Sequence, residues 1–143
     1  MSEGVQSADR FGKVAVLMGG RSAEREISLQ SGTAVLRALQ ARAVDAHALD
    51  TGAEDFVQQL ECGGFERAFN ALHGRGGEDG VVQGLLLNLG IACTGSGVLG
   101  SSVSMDKLLS KQLLQGAGFG TPDHVVLNCD DDFETAVEIL GLP

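Results

Sequence analysis

The stretch "KVAVLMGGRSAEREISLQSG", residues 13–32, decides the architecture. Its first part, "KVAVLM" (13–18), is a short apolar run rich in valine, and Gly19-Gly20 stops it. That is the signature of a buried strand. A helical pattern follows over "SAEREISLQSGTAVLRALQA" (22–41), with Ile27, Ala34, Val35, Ala38 and Leu39 on one predicted face. Ser22 is the expected N-cap, and Glu24 and Glu26 suit the positive first turn of a helix. Strand, glycine loop and helix in this order make the opening half of a βαβ unit.

The same grammar repeats outward. "VDAHAL" (44–49), "RAFNAL" (67–72) and "IACTG" (91–95) read as further strands, and "DHVVLN" (123–128) as another. Between and after them, "EDFVQQLE" (54–61), "VVQGLLLNLG" (81–90), "SSVSMDKLLSKQLLQGAG" (101–118) and "DDFETAVEILG" (131–141) read as helices. The third of these carries Met105, Leu108, Leu109 and Leu113 on one predicted face. Alternation of strand and helix predicts an α/β fold, a Rossmann-like parallel sheet with helices on both faces. Residues 1–12 read as a flexible leader, 13–104 as one α/β domain, and 105–143 as the beginning of a second.

Composition narrows the function. Asp and Glu outnumber Lys and Arg by 19 to 10, a net charge of −9, which disfavours a general nucleic-acid binder. No apolar run approaches the ~18 residues of a membrane span. The three cysteines, Cys62, Cys93 and Cys129, show no metal-type spacing and read as free thiols of a reducing cytoplasm. No metal site is expected among these residues.

Three glycine-containing loops follow three of the strands: "GGRS" (19–22), "HGRGGEDG" (73–80) and "TGSG" (94–97). In a parallel sheet all three emerge at the carboxyl edge, where ligands bind. Glycine there lets backbone N–H groups approach an anion. "GGRSAERE" lacks the lysine and second glycine of a P-loop, and it does not match G-x-G-x-x-G. "HGRGGEDG" has no second histidine at ligand spacing, which argues against zinc.

Taken together, "VAVLMGGRSAEREISLQSG", "ALHGRGGEDGVVQG", "TGSGVLGSSVSMDK" and "SKQLLQGAG" resemble the bacterial D-alanine–D-alanine ligases, in order and spacing across residues 13–128. Members of that family are ATP-grasp ligases of peptidoglycan precursor synthesis. They use ATP and Mg2+ (or Mn2+), act as cytoplasmic homodimers, and join two D-alanines through an acyl phosphate.

The resemblance implies a substrate-binding role for residues 13–104 and the beginning of the central ATP-grasp domain in residues 105–143. Glu24 would hold the ammonium of the first D-alanine. His73 would stand beside that substrate and its phosphorylated form. Lys107 would reach the nucleotide phosphates. Gly19, Gly20 and Ser22 would shape the loop around Glu24, and Glu78 would support the His73 loop or packing on the dimer side. The family's ATP-binding lysine strand, serine loop, catalytic tyrosine and metal carboxylates have no counterpart in these residues, and the chain has no Tyr. The 143 residues alone are therefore expected to be inactive. The competing expectation is a non-catalytic module of the same fold, binding a small molecule or anion or serving dimerisation.

Overall fold

The computed structural model describes residues 7–128 and 132–141. Two compact units divide the chain, Met1–Met105 and Asp106–Pro143. In the first, β1 (Val14–Met18), α1 (Arg25–Gln40), β2 (Ala46–Asp50), α2 (Phe56–Cys62), β3 (Arg67–Asn70), α3 (Val81–Asn88), β4 (Ala92–Cys93) and α4 (Val98–Met105) follow in order. The strands form one parallel sheet in the order β2-β1-β3-β4. The α/β reading holds.

β1 is central and all five of its residues are buried. Its side chains alternate between two cores, as the strand period of two requires. Ala15 and Leu17 pack with Phe56 and Leu60 of α2 and Val82 and Leu86 of α3. Val14, Val16 and Met18 pack with Leu29, Val35, Leu36 and Leu39 of α1. A strand covered on both faces must be apolar at every position, which is why "VAVLM" shows no polar alternation.

The inward stripe of α1 differs from the predicted one. Ile27, Ala34 and Ala38 are exposed, while Ser28 and Gly32 are buried and Leu29, Val35, Leu36 and Leu39 are partly buried. The stripe is rotated because α1 meets the sheet through its smallest residues. A Cβ on Gly32 would stand 2.5 Å from Met18 Cβ, so only glycine permits this approach.

Residues 8–11, within the expected leader, form a 3₁₀ turn in which Phe11 O accepts from Arg67 Nη1. Cys62 and Cys93 are free thiols. Cys129 lies outside the described residues.

The second unit holds α5 (Lys107–Gly116) and α6 (Asp132–Leu140). The single helix expected over 101–118 is two helices. Asp106 breaks it, with φ −87° and ψ 106°, and its carboxylate accepts from Leu109 N at 2.9 Å. Aspartate is stabilised more as an N-cap than inside a helix, so the chain restarts there. The strand expected over 123–128 does not form: residues 121–127 carry no regular structure. The Val-Val-Leu run has strand propensity but no ladder to join, and propensity without pairing leaves backbone groups unmet.

Candidate functional site

From β1 the chain passes to β2 on one side, then returns to place β3 on the other. β1 and β3 are therefore the strands between which the connections diverge, and the carboxyl end of that pair is where an open parallel sheet presents a crevice. Two of the glycine loops meet there.

The first loop leaves β1 through Gly19 and Gly20, with φ of +74° and +81°. These left-handed values favour glycine and turn the chain sharply across the edge. Ser22 does not cap α1. Glu24 occupies the N-cap position without a capping bond from its side chain. The Ser22 hydroxyl instead donates to His73 O at 2.8 Å, tying the first loop to the second, and accepts from Glu24 N at 3.2 Å. Deeper, Ser28 is fully buried and joins the two strand ends: its Oγ accepts from Gly19 N at 2.9 Å and donates to Ala71 O at 2.8 Å.

Arg25 and Asp50 hold the Gly20 backbone, one at its carbonyl and the other at its amide. Arg25 Nη1 donates to Gly20 O at 2.9 Å and to Asp50 Oδ1 at 2.8 Å, while Gly20 N donates to Asp50 Oδ1 at 3.1 Å. The Arg25 guanidinium, with the amides of Gly52 and Gly20, holds the Asp50 carboxyl well below the usual carboxylate range despite partial burial.

The second loop begins at half-buried His73. His73 Nε2 lies 3.3 Å from Ser31 Oγ. Ser31 gives its one proton to Ile27 O at 2.9 Å, so it meets the imidazole as an acceptor, which assigns the neutral ring's proton to Nε2. Carboxylates then stitch the loop internally. Glu78 Oε2 accepts from Gly74 N at 2.9 Å, and Asp79 Oδ2 accepts from Gly76 N at 2.8 Å. Burial opposes the charge on Asp79, but the amides of Gly76 and Val81 outweigh it and lower its pKa. Two carboxamides anchor the loop to the sheet, because Asn70 Nδ2 and Gln83 Nε2 both donate to Gly77 O at 2.8 Å.

Glu24 and His73 thus stand on two loops tied by Ser22. The Glu24 carboxylate lies over Gly74, close enough that a Cβ there would collide with it. Glu24 is exposed, and its carboxylate enters no ion pair or hydrogen bond among the described residues. Gly19, Gly20, Ser22, Glu24, His73 and Glu78 are therefore gathered at one edge. Lys107 is an exposed residue of the second unit, the first of α5.

Sequence reading missed Ser28, Arg25, Asp50, Asn70 and Gln83. Ser28 carried a signal: with Gly32 it lies four residues apart on one helix face, a small-residue seam suited to close packing. The other four are ordinary polar residues until the fold brings them to glycine backbone, Arg25, Asn70 and Gln83 to carbonyls and Asp50 to amides. No group of three or more His, Cys, Asp or Glu that could hold a metal occurs among the described residues.

The family model described as D-ala D-ala ligase N-terminus matches residues 13–61. A D-alanine–D-alanine ligase from Methylococcus capsulatus is 53% identical over 143 residues, covering 100% of this chain and 46% of that protein. The crystal structure of D-alanine–D-alanine ligase from Bacillus anthracis superposes with a TM-score of 0.74 at 34% identity, covering 92% of this chain and 44% of that one. The same enzyme complexed with ATP gives 0.74 at 33% identity, covering 92% and 45%. This chain spans under half the length of these proteins. With these loops on this sheet and this identity along its whole length, the chain belongs to the D-alanine–D-alanine ligase family and corresponds to its N-terminal portion.

Proposed function

We propose that this chain supplies the site for the first D-alanine of an ATP-dependent D-alanine–D-alanine ligase of peptidoglycan precursor synthesis. One observation carries the reading: the unpaired Glu24 carboxylate lies over the Gly74 turn, beside His73. A free amino acid presents an ammonium group, and an unpaired carboxylate at the edge of a crevice answers it with a charge-assisted hydrogen bond. Gly20 and Gly74 leave room there that side chains would fill.

In the reaction, the γ-phosphate of ATP passes to the carboxylate of the first D-alanine, giving an acyl phosphate and ADP. The amine of the second D-alanine then attacks the acyl carbon, and phosphate leaves as the peptide bond forms. Glu24 fixes the ammonium end of the first substrate and so orients its carboxylate. His73 offers a ring nitrogen to the charge that develops at the acyl phosphate. Lys107 meets the nucleotide phosphates. Magnesium or manganese would be held by groups other than those described, since no suitable donor cluster occurs among them. The homodimer and the cytoplasmic setting belong to the same proposal.

The test is Glu24→Gln in a full-length ligase that carries this sequence as its N-terminal portion. The substitution keeps the shape and removes the charge. Losing a charge-assisted bond worth about 1.5–3 kcal/mol lowers kcat/KM by roughly 10- to 150-fold. The loss falls on the first D-alanine, and the KM for ATP stays put. Unchanged first-site affinity combined with a lower melting temperature would make Glu24 a helix-start residue and remove the basis of the reading.

A further inference from the structure

Asn70 is the last residue of β3, and the chain around it is held from both sides. Asn70 N donates to Thr94 Oγ1, of the third glycine loop, at 3.0 Å. The next amide, Ala71 N, donates to Leu17 O of β1 at 3.0 Å. A side chain carried on such a strand end is aimed by the sheet rather than by a loop.

The Asn70 carboxamide commits both of its ends to the His73 loop. Oδ1 accepts from Leu72 N at 3.1 Å, one residue before His73, and Nδ2 donates to Gly77 O at 2.8 Å, where the loop comes back to the strand. The partners settle which end is which, because an N–H must meet the oxygen and a carbonyl must meet the NH2 group. Leu72 and Gly77 are both buried, and they pack so closely that a Cβ on Gly77 would collide with Leu72. Other side chains from outside the loop hold it at one point each: Ser22 at His73 O, Gln83 at Gly77 O and Ser102 at Asp79 O. Among the described residues, Asn70 alone bonds both the entrance and the exit. His73 therefore leaves the chain between two held points, Leu72 N and its own carbonyl.

We infer, resting on the reading of His73 as the group that meets charge at the acyl phosphate, that Asn70 is a positioning residue of the ligase reaction. Its carboxamide, bridging Leu72 N and Gly77 O, closes the loop and fixes where the imidazole stands. The position needs a donor and an acceptor on one short side chain, which asparagine has and aspartate lacks. A carboxylate of the same shape keeps the acceptor for Leu72 N but turns an oxygen toward Gly77 O. That contact is repulsive and pushes the loop off the strand end. Where reacting groups must be aligned, a displacement of about 1 Å costs roughly 100-fold in rate.

The test is a double-mutant cycle in a full-length ligase that carries this sequence as its N-terminal portion. Asn70→Asp and Asn70→Ala are each made alone and together with His73→Gln, and melting temperatures are measured beside the kinetics. Each single Asn70 variant should lower kcat by roughly 10- to 100-fold, with the KM values for ATP and the first D-alanine within about threefold of the parent. On top of His73→Gln, the same substitutions should lower kcat by less than about twofold, because the group they position is already gone. A residue serving stability alone would lower the melting temperature and act by the same factor in both backgrounds. Equal factors in the two backgrounds overturn the proposal, as do an unchanged kcat or a loss confined to the KM of the first D-alanine. Melting of both Asn70 variants below the assay temperature overturns it too, since the clasp would then be structural. His73→Gln alone judges the underlying reading: turnover at the parental rate would end the role of His73 and the positioning role with it. A slow His73→Gln enzyme with equal Asn70 effects in both backgrounds would end the positioning role only.

Discussion

Ser28→Ala isolates the contact that joins the two strand ends beneath the site. The residue is fully buried on α1, and its hydroxyl spans Gly19 N at 2.9 Å and Ala71 O at 2.8 Å. Gly19 and Ala71 are themselves buried, so water does not readily replace it. Removing the oxygen leaves one donor and one acceptor unmet, each costing about 1–3 kcal/mol. Alanine returns roughly 0.5 kcal/mol of helix propensity. The orphaned groups win, and the net loss is about 2–4 kcal/mol. For a domain near this size each kcal/mol moves the melting temperature by about 4 °C, so a fall of about 8–16 °C is expected. Urea unfolding followed by far-ultraviolet circular dichroism measures the free energy directly. Ser104→Ala is the control, because that exposed hydroxyl bonds only to carbonyls of its own helix, Gly100 O and Ser101 O. It should stay within about 0.5 kcal/mol of the parent. A Ser28→Ala protein as stable as the Ser104→Ala protein would refute the bridge.

Asp50→Asn should destabilise the protein at neutral pH by about 1 kcal/mol, the low end for a charge-assisted contact, because its side chain and that of Arg25 are 33% and 39% exposed. Since the Asp50 pKa is depressed in the fold, its contribution is complete above about pH 4 and is lost as pH falls, so the gap between the two proteins should close in acid. A gap in urea midpoint that does not change with pH would exclude the ion pair as its source. Gly32→Ala gains about 1 kcal/mol of helix propensity but drives a methyl to 2.5 Å from Met18 Cβ. Overpacking of about 1–3 kcal/mol outweighs the gain, so chemical denaturation should show a net loss, and a stabilised variant would contradict the close approach of α1 to β1. In a full-length ligase carrying this sequence, His73→Gln should lower kcat by roughly 100-fold with smaller change in KM. Superimposed pH–rate profiles at equal rates would leave His73 a structural residue.

The strands and the glycine turns that end them were legible in the linear sequence because their logic is local. A valine-rich run stopped by Gly19-Gly20 can only be a strand that turns, and glycine at positive φ is a backbone requirement written into the residue itself. Alternation of such runs with helical periods specifies a parallel α/β sheet, since parallel strands need crossover connections. Glu24 and His73 each lie just past the end of a strand, and it was the resemblance to the ligase family that singled them out.

The tertiary structure decided what depends on partners far along the chain. Ser22 reads as a cap until His73 O, 51 positions away, takes its proton. The stripe of α1 reads from Ile27 until Met18 shows that the helix needs Gly32 against the strand. Residues 123–128 have strand composition, but a strand is a relation between two segments, and composition describes only one of them. The grip of Arg25 and Asp50 on Gly20 joins side chains 25 positions apart at the backbone of a single residue. Hydrogen bonds of that range leave no periodic trace in sequence, because they are set by the strand order β2-β1-β3-β4, which pairing geometry and packing choose together.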